Sequence, residues 1–264
     1  MQLSQDQVEA YRRDGYLFFP GLFSPQEIGH LRADLPALLQ RQGPEIIKEK
    51  GDSEAIRLLY GAHTFAESFR RMSLHPRLLE PVRQLQGEEV YIHQTRLNPK
   101  FDFAGGVWDW HQDFGTWHRA DGMPEPRCVM VAVLLDDSTA VNAPLLGVPG
   151  SQHHGMVEDV KQDDVKGYVL HVIDRPALAK LAAEGGIVPL LGPAGSVCFL
   201  DCNIVHGSAN NITPYRRAIW YVNYNAVSNA CLGGGRPWHL DNRDFTPLRP
   251  LADDCLATLG QAAA

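Results

Sequence analysis

The sequence has no excess of positive charge, no long apolar run and little cysteine, and each shortage removes a class of function. Its 264 residues carry 24 Lys+Arg against 31 Asp+Glu, a formal net charge of −7. Neutralising nucleic-acid phosphates takes a basic face, and the cations form no cluster that would supply one, so no nucleic-acid partner is expected. No stretch approaches the roughly 18 apolar residues of a membrane span, and residues 1–16 lack the apolar core of a signal peptide. A cytoplasmic protein without a membrane partner is the expectation. The five cysteines (Cys128, Cys198, Cys202, Cys231, Cys255) are odd in number and share no CxxC spacing. That pattern argues against a disulfide framework or a zinc site and leaves them as packing residues.

What is present is an ordinary globular composition, 44% hydrophobic and 21% charged, expected to fold as one domain over 1–264. Ser4 with Gln7, and Ser24 with Pro25 and Glu27, are helix-start signals that place amphipathic helices within about 4–43; a strand at Tyr16-Leu17-Phe18-Phe19 separates them. Another helix is expected from Pro76 to Leu85. After Gly87 the period changes: 90–98, 127–135, 196–200 and 217–225 are β-branched or aromatic runs bounded by turn formers, and only 175–184 looks helical. Helices first and strands afterwards predict an α+β chain with a double-sheet barrel such as a jelly roll, over about 88–226.

Histidine is plentiful, with 11 copies, and 107–117 holds three of the five tryptophans. Within that tract, His111-Gln112-Asp113 would converge on one ion if it were strand, because residues i and i+2 share a face. A second imidazole, His206, would complete the two-histidine, one-carboxylate set of a non-haem Fe(II) site, which leaves coordination positions open. Composition alone gives about one chance H-x-D match, and a second one, His239-Leu240-Asp241, lies in a Gly/Pro/Arg-rich stretch without strand pattern and is read as packing or surface. Of the adjacent Arg216 and Arg217, strand alternation lets only one point inwards to a carboxylate.

These residues carry a resemblance. His111-x-Asp113, His206 and Arg217 resemble the phytanoyl-CoA dioxygenase-like branch of the Fe(II)/2-oxoglutarate oxygenases. Tyr91-Ile92-His93-Gln94, Trp110-His111-Gln112-Asp113-Phe114, Trp117, Asp121-Gly122-Met123, Val148-Pro149-Gly150 and Gly192-Pro193-Ala194-Gly195-Ser196 are similar to ectoine hydroxylases and bacterial free L-proline 4-hydroxylases, over about Tyr11 to Pro250. The resemblance implies a cupin-like double-stranded β-helix with Fe(II) held between its two sheets by His111, Asp113 and His206. It implies 2-oxoglutarate, used together with O₂, paired with Arg217 and hydrogen-bonded by Ser208 and Asn98. It also implies an amino-acid substrate contacted by Gln94 and Trp117. Asp113 favours hydroxylation over halogenation, since Gly or Ala there would open a site for chloride. His93, His118, His153 and His154 are expected to be structural, with His93 facing away from Gln94.

The implied reaction is hydroxylation of a small free cyclic amino acid with release of succinate and CO₂. L-proline to 4-hydroxyproline comes first, because 236–251 resembles proline hydroxylases; ectoine comes second, because 91–98 and 211–215 resemble ectoine hydroxylases. A silent binding module of the same fold would show a broken metal set, and a metal-dependent hydrolase would need neither O₂ nor 2-oxoglutarate. The only partner expected is the small molecule, for a monomer or homodimer.

Overall fold

The computed structural model of the chain describes residues 1–50, 54–158, 160–165 and 168–259. In chain order its strands are β1 (Tyr16–Phe19), β2 (Ile46–Lys48), β3 (Ile56–Tyr60), β4 (Val90–Asn98), β5 (Trp108–His111), β6 (Cys128–Leu134), β7 (Leu146–Val148), β8 (Val160–Val165), β9 (Tyr168–Ile173), β10 (Val188–Pro189), β11 (Val197–Asp201), β12 (Val205–Ser208) and β13 (Ile219–Ala226). The helices are α1 (Gln5–Asp14), α2 (Pro25–Leu39), α3 (Ala62–Phe65), α4 (Glu67–Ser73), α5 (Pro76–Gln86), α6 (Asp113–Asp121) and α7 (Arg175–Gly185). Two antiparallel sheets result, ordered β1-β11-β6-β13-β4-β3-β2 and β10-β7-β12-β5-β9-β8. This is the expected α+β jelly roll. The larger sheet also takes in three strands that precede residue 88, because β1 pairs with β11 and β3 with β4.

Both helix starts carry the capping boxes legible in the sequence: the Ser4 and Ser24 hydroxyls accept from the N–H groups of Gln7 and Glu27, whose side chains accept from the serine N–H groups. Gly15, at φ 79°, ends α1 in the left-handed conformation and turns the chain into β1. α2 stops at Leu39, short of Gly43.

Alternation along the central strands sets the layers. Val129, Val131 and Val133 of β6, with Trp220 and Val222 of β13, face the helices, where Phe69 of α4 meets Trp220 edge-on at 5.2 Å. Met130, Ala132 and Leu134, with Ile219 and Tyr221, face the smaller sheet. Each large apolar side chain so buried stabilises the fold by about 1.5–3 kcal/mol. The side of the larger sheet that faces the smaller one also carries the polar residues of the site.

Two local readings are corrected. His111 and Asp113 do not share one strand: β5 ends at His111, Gln112 stands at the N-cap position without a capping bond, and Asp113 opens α6, a helix absent from the sequence reading. In β4, Gln94 pairs with Asn223 but Ile92 with Tyr224, so His93 is the extra residue of a β-bulge. The bulge cancels the alternation, and His93 turns to the same side as Gln94.

Candidate active site

The β5–α6 junction is pinned by Gln112, whose Nε2 donates to Asn203 O (2.7 Å) and Gly155 O (2.9 Å) while its Oε1 accepts from Val157 N (2.8 Å). Phe114 N donates to Cys202 O at 3.0 Å, fixing the first turn of α6. These bonds aim Asp113 back at the strand. On the next strand, His206 is the register partner of His111, so their side chains leave the sheet as neighbours. Gly207 permits that approach, since a Cβ there would lie 2.8 Å from Trp108 O.

The three predicted ligand residues converge. His111 Nε2 lies 3.4 Å from Asp113 Oδ1, and His206 Nε2 lies 4.0 Å from Asp113 Oδ2. One donor atom from each falls within 4.8 Å of the others, and all three side chains are buried. Each imidazole is tied through Nδ1 to a main-chain carbonyl, Asp109 O at 2.6 Å and Ile204 O at 3.0 Å. Those acceptors place the ring proton on Nδ1 and turn the Nε2 lone pairs towards Asp113. Burial, helped by His111, pulls the His206 pKa down to about 3, so the ring is neutral. Burial opposes ionisation of Asp113, yet Arg96 and the two histidines outweigh it and hold the carboxyl well below the usual carboxylate range. Two neutral imidazoles and one carboxylate are the donor set that Fe(II) takes.

Sequence reasoning missed Arg96. Its guanidinium grips Asp113 two-handed, Nη1 to Oδ1 at 3.2 Å and Nη2 to Oδ2. The signal was there, since Gln94, Arg96 and Asn98 alternate along β4 and all three line the pocket.

Arg217 and Ser208 line the same pocket. Arg217 is 1% exposed; its Nε donates to Ala143 O at 3.1 Å, and its Nη1 has no hydrogen-bond partner among the described residues. Arg216 turns away to Asp136, with Nε 2.8 Å from Oδ2. Alternation therefore selected one arginine of the two. Asn98 Oδ1 is likewise buried and unpartnered, and Ser208 Oγ accepts from Lys100 Nζ at 3.0 Å. Lys100 was also missed; burial, and after it Arg217 and Arg57, lowers its pKa to about 6. An unpaired guanidinium donor in a buried pocket is what an anionic ligand would complete.

Gln94 and Trp117 both line the pocket, with Gln94 Nε2 bonded to Leu240 O at 2.7 Å. Tyr60, Tyr221 and Arg236 complete this end of a cavity of about 640 Å³ including its mouth. Arg236 is held by Asp121, through Nε and Nη2 at 2.5 Å each. The other histidines stay outside: His118 bonds Met123 O, His153 bonds Arg13 O, and His154 pairs with Glu184. His239 and Asp241 part company, His239 against the Tyr60 ring and Asp241 towards His93.

Known proteins resemble the chain over most of its length. The chain is 40% identical to the ectoine dioxygenase of Bordetella bronchiseptica over 94% of this chain and 86% of that protein. It is 37% identical to the L-proline trans-4-hydroxylase of Streptomyces griseoviridis over 93% and 95%. The crystal structure of EctD from S. alaskensis with 2-oxoglutarate and 5-hydroxyectoine superposes with a TM-score of 0.80 at 37% identity, covering 95% of this chain and 86% of that one. EctD with bound Fe gives a TM-score of 0.82 at 36% identity, covering 94% and 87%. The profile of phytanoyl-CoA dioxygenase (PhyH) matches residues 11–219, and the chain belongs to that family.

Proposed function

We propose that the chain is an Fe(II)/2-oxoglutarate-dependent hydroxylase whose substrate is ectoine. When bound, iron and 2-oxoglutarate supply the oxidising chemistry: O₂ and 2-oxoglutarate are consumed, succinate and CO₂ leave, and one oxygen atom enters a substrate C–H bond. The protein's own residues set where this happens. His111, Asp113 and His206 hold the metal; Arg217 pairs with the distal carboxylate of 2-oxoglutarate, and Ser208 and Asn98 bond it. Gln94 and Trp117 position the substrate ring, and the remaining amino group of Arg236 faces the substrate carboxylate. Burial beneath the two sheets keeps bulk water from the reacting carbon.

One observation carries the choice of substrate. Among the described residues lining the pocket the only carboxylate is Asp113, already engaged by Arg96, whereas Tyr60 and Trp117 present aromatic surface. The localised ammonium of free L-proline finds no anion there. The delocalised amidinium of ectoine needs none, because it rests on aromatic faces. The sequence reading put proline first on its tail motifs; ectoine dioxygenases recur among the relatives and favour the second reading. L-proline stays in the test because a relative of similar identity acts on it.

The test is competition. Purified protein with Fe(II), 2-oxoglutarate and ascorbate is given ectoine, L-proline and pipecolate together, and mass spectrometry follows the gain of one oxygen. Ectoine is expected to be hydroxylated at least tenfold faster than proline, the discrimination of about 1.4 kcal/mol that one lost ion pair readily supplies. Preferential oxidation of proline would refute the substrate assignment while leaving the reaction class intact.

A further inference from the structure

Behind the pocket wall, a second group of ligand-type side chains joins β4 to the segment 231–241. His93 Nδ1 lies 3.8 Å from Cys231 Sγ and 4.0 Å from Asp241 Oδ1. One donor atom from each falls within 4.8 Å of the others, and all three side chains are buried. Zinc bonds of about 2.0 Å to nitrogen and 2.3 Å to sulfur set tetrahedral donors roughly 3.5 Å apart. Small side-chain rotations would close these three onto one ion.

Two independent features point to a ligand. Asp241 is 1% exposed, and neither of its oxygens has a hydrogen-bond partner among the described residues. Its Oδ2 has the Arg243 guanidinium at 3.5 Å, while Oδ1 is the oxygen that faces His93. A buried carboxylate oxygen left without a donor is costly, and a cation removes that cost. The other feature is the far side of His93: Nε2 sits 3.2 Å from Asp121 Oδ2, an ion-pair approach without hydrogen-bond geometry, and Asp121 is gripped by Arg236. A carboxylate on one imidazole nitrogen keeps the proton there and leaves the other nitrogen's lone pair for a metal. Tyr91 Oη accepts from Asn225 Nδ2 at 2.9 Å and lies 3.8 Å from Cys231 Sγ, so its hydroxyl proton is directed to the sulfur.

We propose that His93, Cys231 and Asp241 form a second, structural metal site for a borderline dication such as Zn²⁺ or Co²⁺, distinct from the iron site and not dependent on the proposed reaction. Its thiolate, imidazole and carboxylate donors suit that class of ion. Cys231 then departs from the packing role its spacing suggested. The chain between two of its ligands carries Arg236 and the Leu240 carbonyl that receives Gln94, so the ion braces one wall of the pocket.

Sulfur makes the test selective, because the His111/Asp113/His206 site contains none. Protein produced in cobalt-supplemented medium is examined for thiolate-to-cobalt charge-transfer absorption and for metal content. The expected result is the band with two metal equivalents per chain in the wild type, the band with one equivalent in Asp113→Ala, and loss of the band with one equivalent in Cys231→Ser. Asp241→Asn should also lose the band while keeping the thiol. A folded wild-type protein without the band, or a band that survives Cys231→Ser, overturns the proposal.

Discussion

Arg96 holds Asp113 in place from the sheet opposite its histidine partners, so the carboxylate is aimed before any ion binds. Removing that guanidinium frees the carboxylate and removes the positive charge that keeps it ionised. Arg96→Leu is expected to weaken Fe(II) binding about 10–100-fold, the usual cost of losing a partner that orients a metal ligand; titration of the apoprotein measures it. Arg217 has a different task. Its side chain lines the pocket and its Nη1 has no partner among the described residues; Arg217→Ala should raise KM for 2-oxoglutarate about 10–100-fold, matching the 1.5–3 kcal/mol of a charged hydrogen bond. A kcat that changes little would accompany it, as for an interaction equally strong in ground and transition states. At this scale the sequence was informative about residues with short-range signatures, such as His111, Asp113, His206 and the inward member of the Arg216–Arg217 pair. For Arg96 the alternation of β4 gave the face but not the partner, because a lone basic residue in a strand looks the same whether it meets solvent or a buried carboxylate; Lys100 follows the strand and carries no periodic signal.

Elements with a period of their own were legible. β4, β6 and β13 are strand-forming runs of seven to nine residues bounded by turn formers, and α1, α2 and α5 carry start signals. β7 and β10, with three and two residues, are too short to show a period and exist through pairing with each other. α6 was missed because Gln112 makes no capping bond to it; its start is set by long-range bonds to residues 155, 157 and 203. The bulge at His93 was invisible for the same reason, being a property of the pairing with β13. One helix start is also a pH-sensitive point. His75 caps α5 by accepting from Arg77 N through Nδ1, and its Nε2 donates to Asp253 O at 3.0 Å, so only the neutral ring serves both bonds. Burial, and after it Arg77, pulls its pKa down to about 4. The unfolded chain therefore binds the proton first. Stability is fully present above about pH 6.5 and is lost as pH falls towards 4, by at most about 1.4 kcal/mol per pH unit from this group. Denaturant titrations at pH 7 and pH 5 should show a smaller pH dependence in His75→Asn, which keeps a capping acceptor, than in the wild type.

Across the whole molecule, net charge and pocket charge have opposite signs. The chain carries −7, yet Arg96, Arg217 and Arg236 line the pocket against one carboxylate. Anionic small molecules are thus held by local cations and not drawn in by a long-range field. Anything bound only by the folded state stabilises it by mass action. Fe(II) with 2-oxoglutarate at about a hundred times Kd should add about 2.7 kcal/mol, a rise in Tm of roughly 5–10 °C for a chain of this size. Chelation of the metal should reverse most of it. Jelly-roll architecture was readable from the change of period after Gly87, whereas the recruitment of β1 and β3 into the larger sheet depends on pairings across more than thirty residues. The central claim, that the three-residue site couples 2-oxoglutarate to substrate hydroxylation, is tested most directly with isotopically labelled O₂ and ectoine. One labelled oxygen atom should appear in hydroxyectoine and one in succinate, in equal amounts, and neither should form with Asp113→Ala. Unlabelled product, or hydroxylation that proceeds without 2-oxoglutarate, would contradict the account.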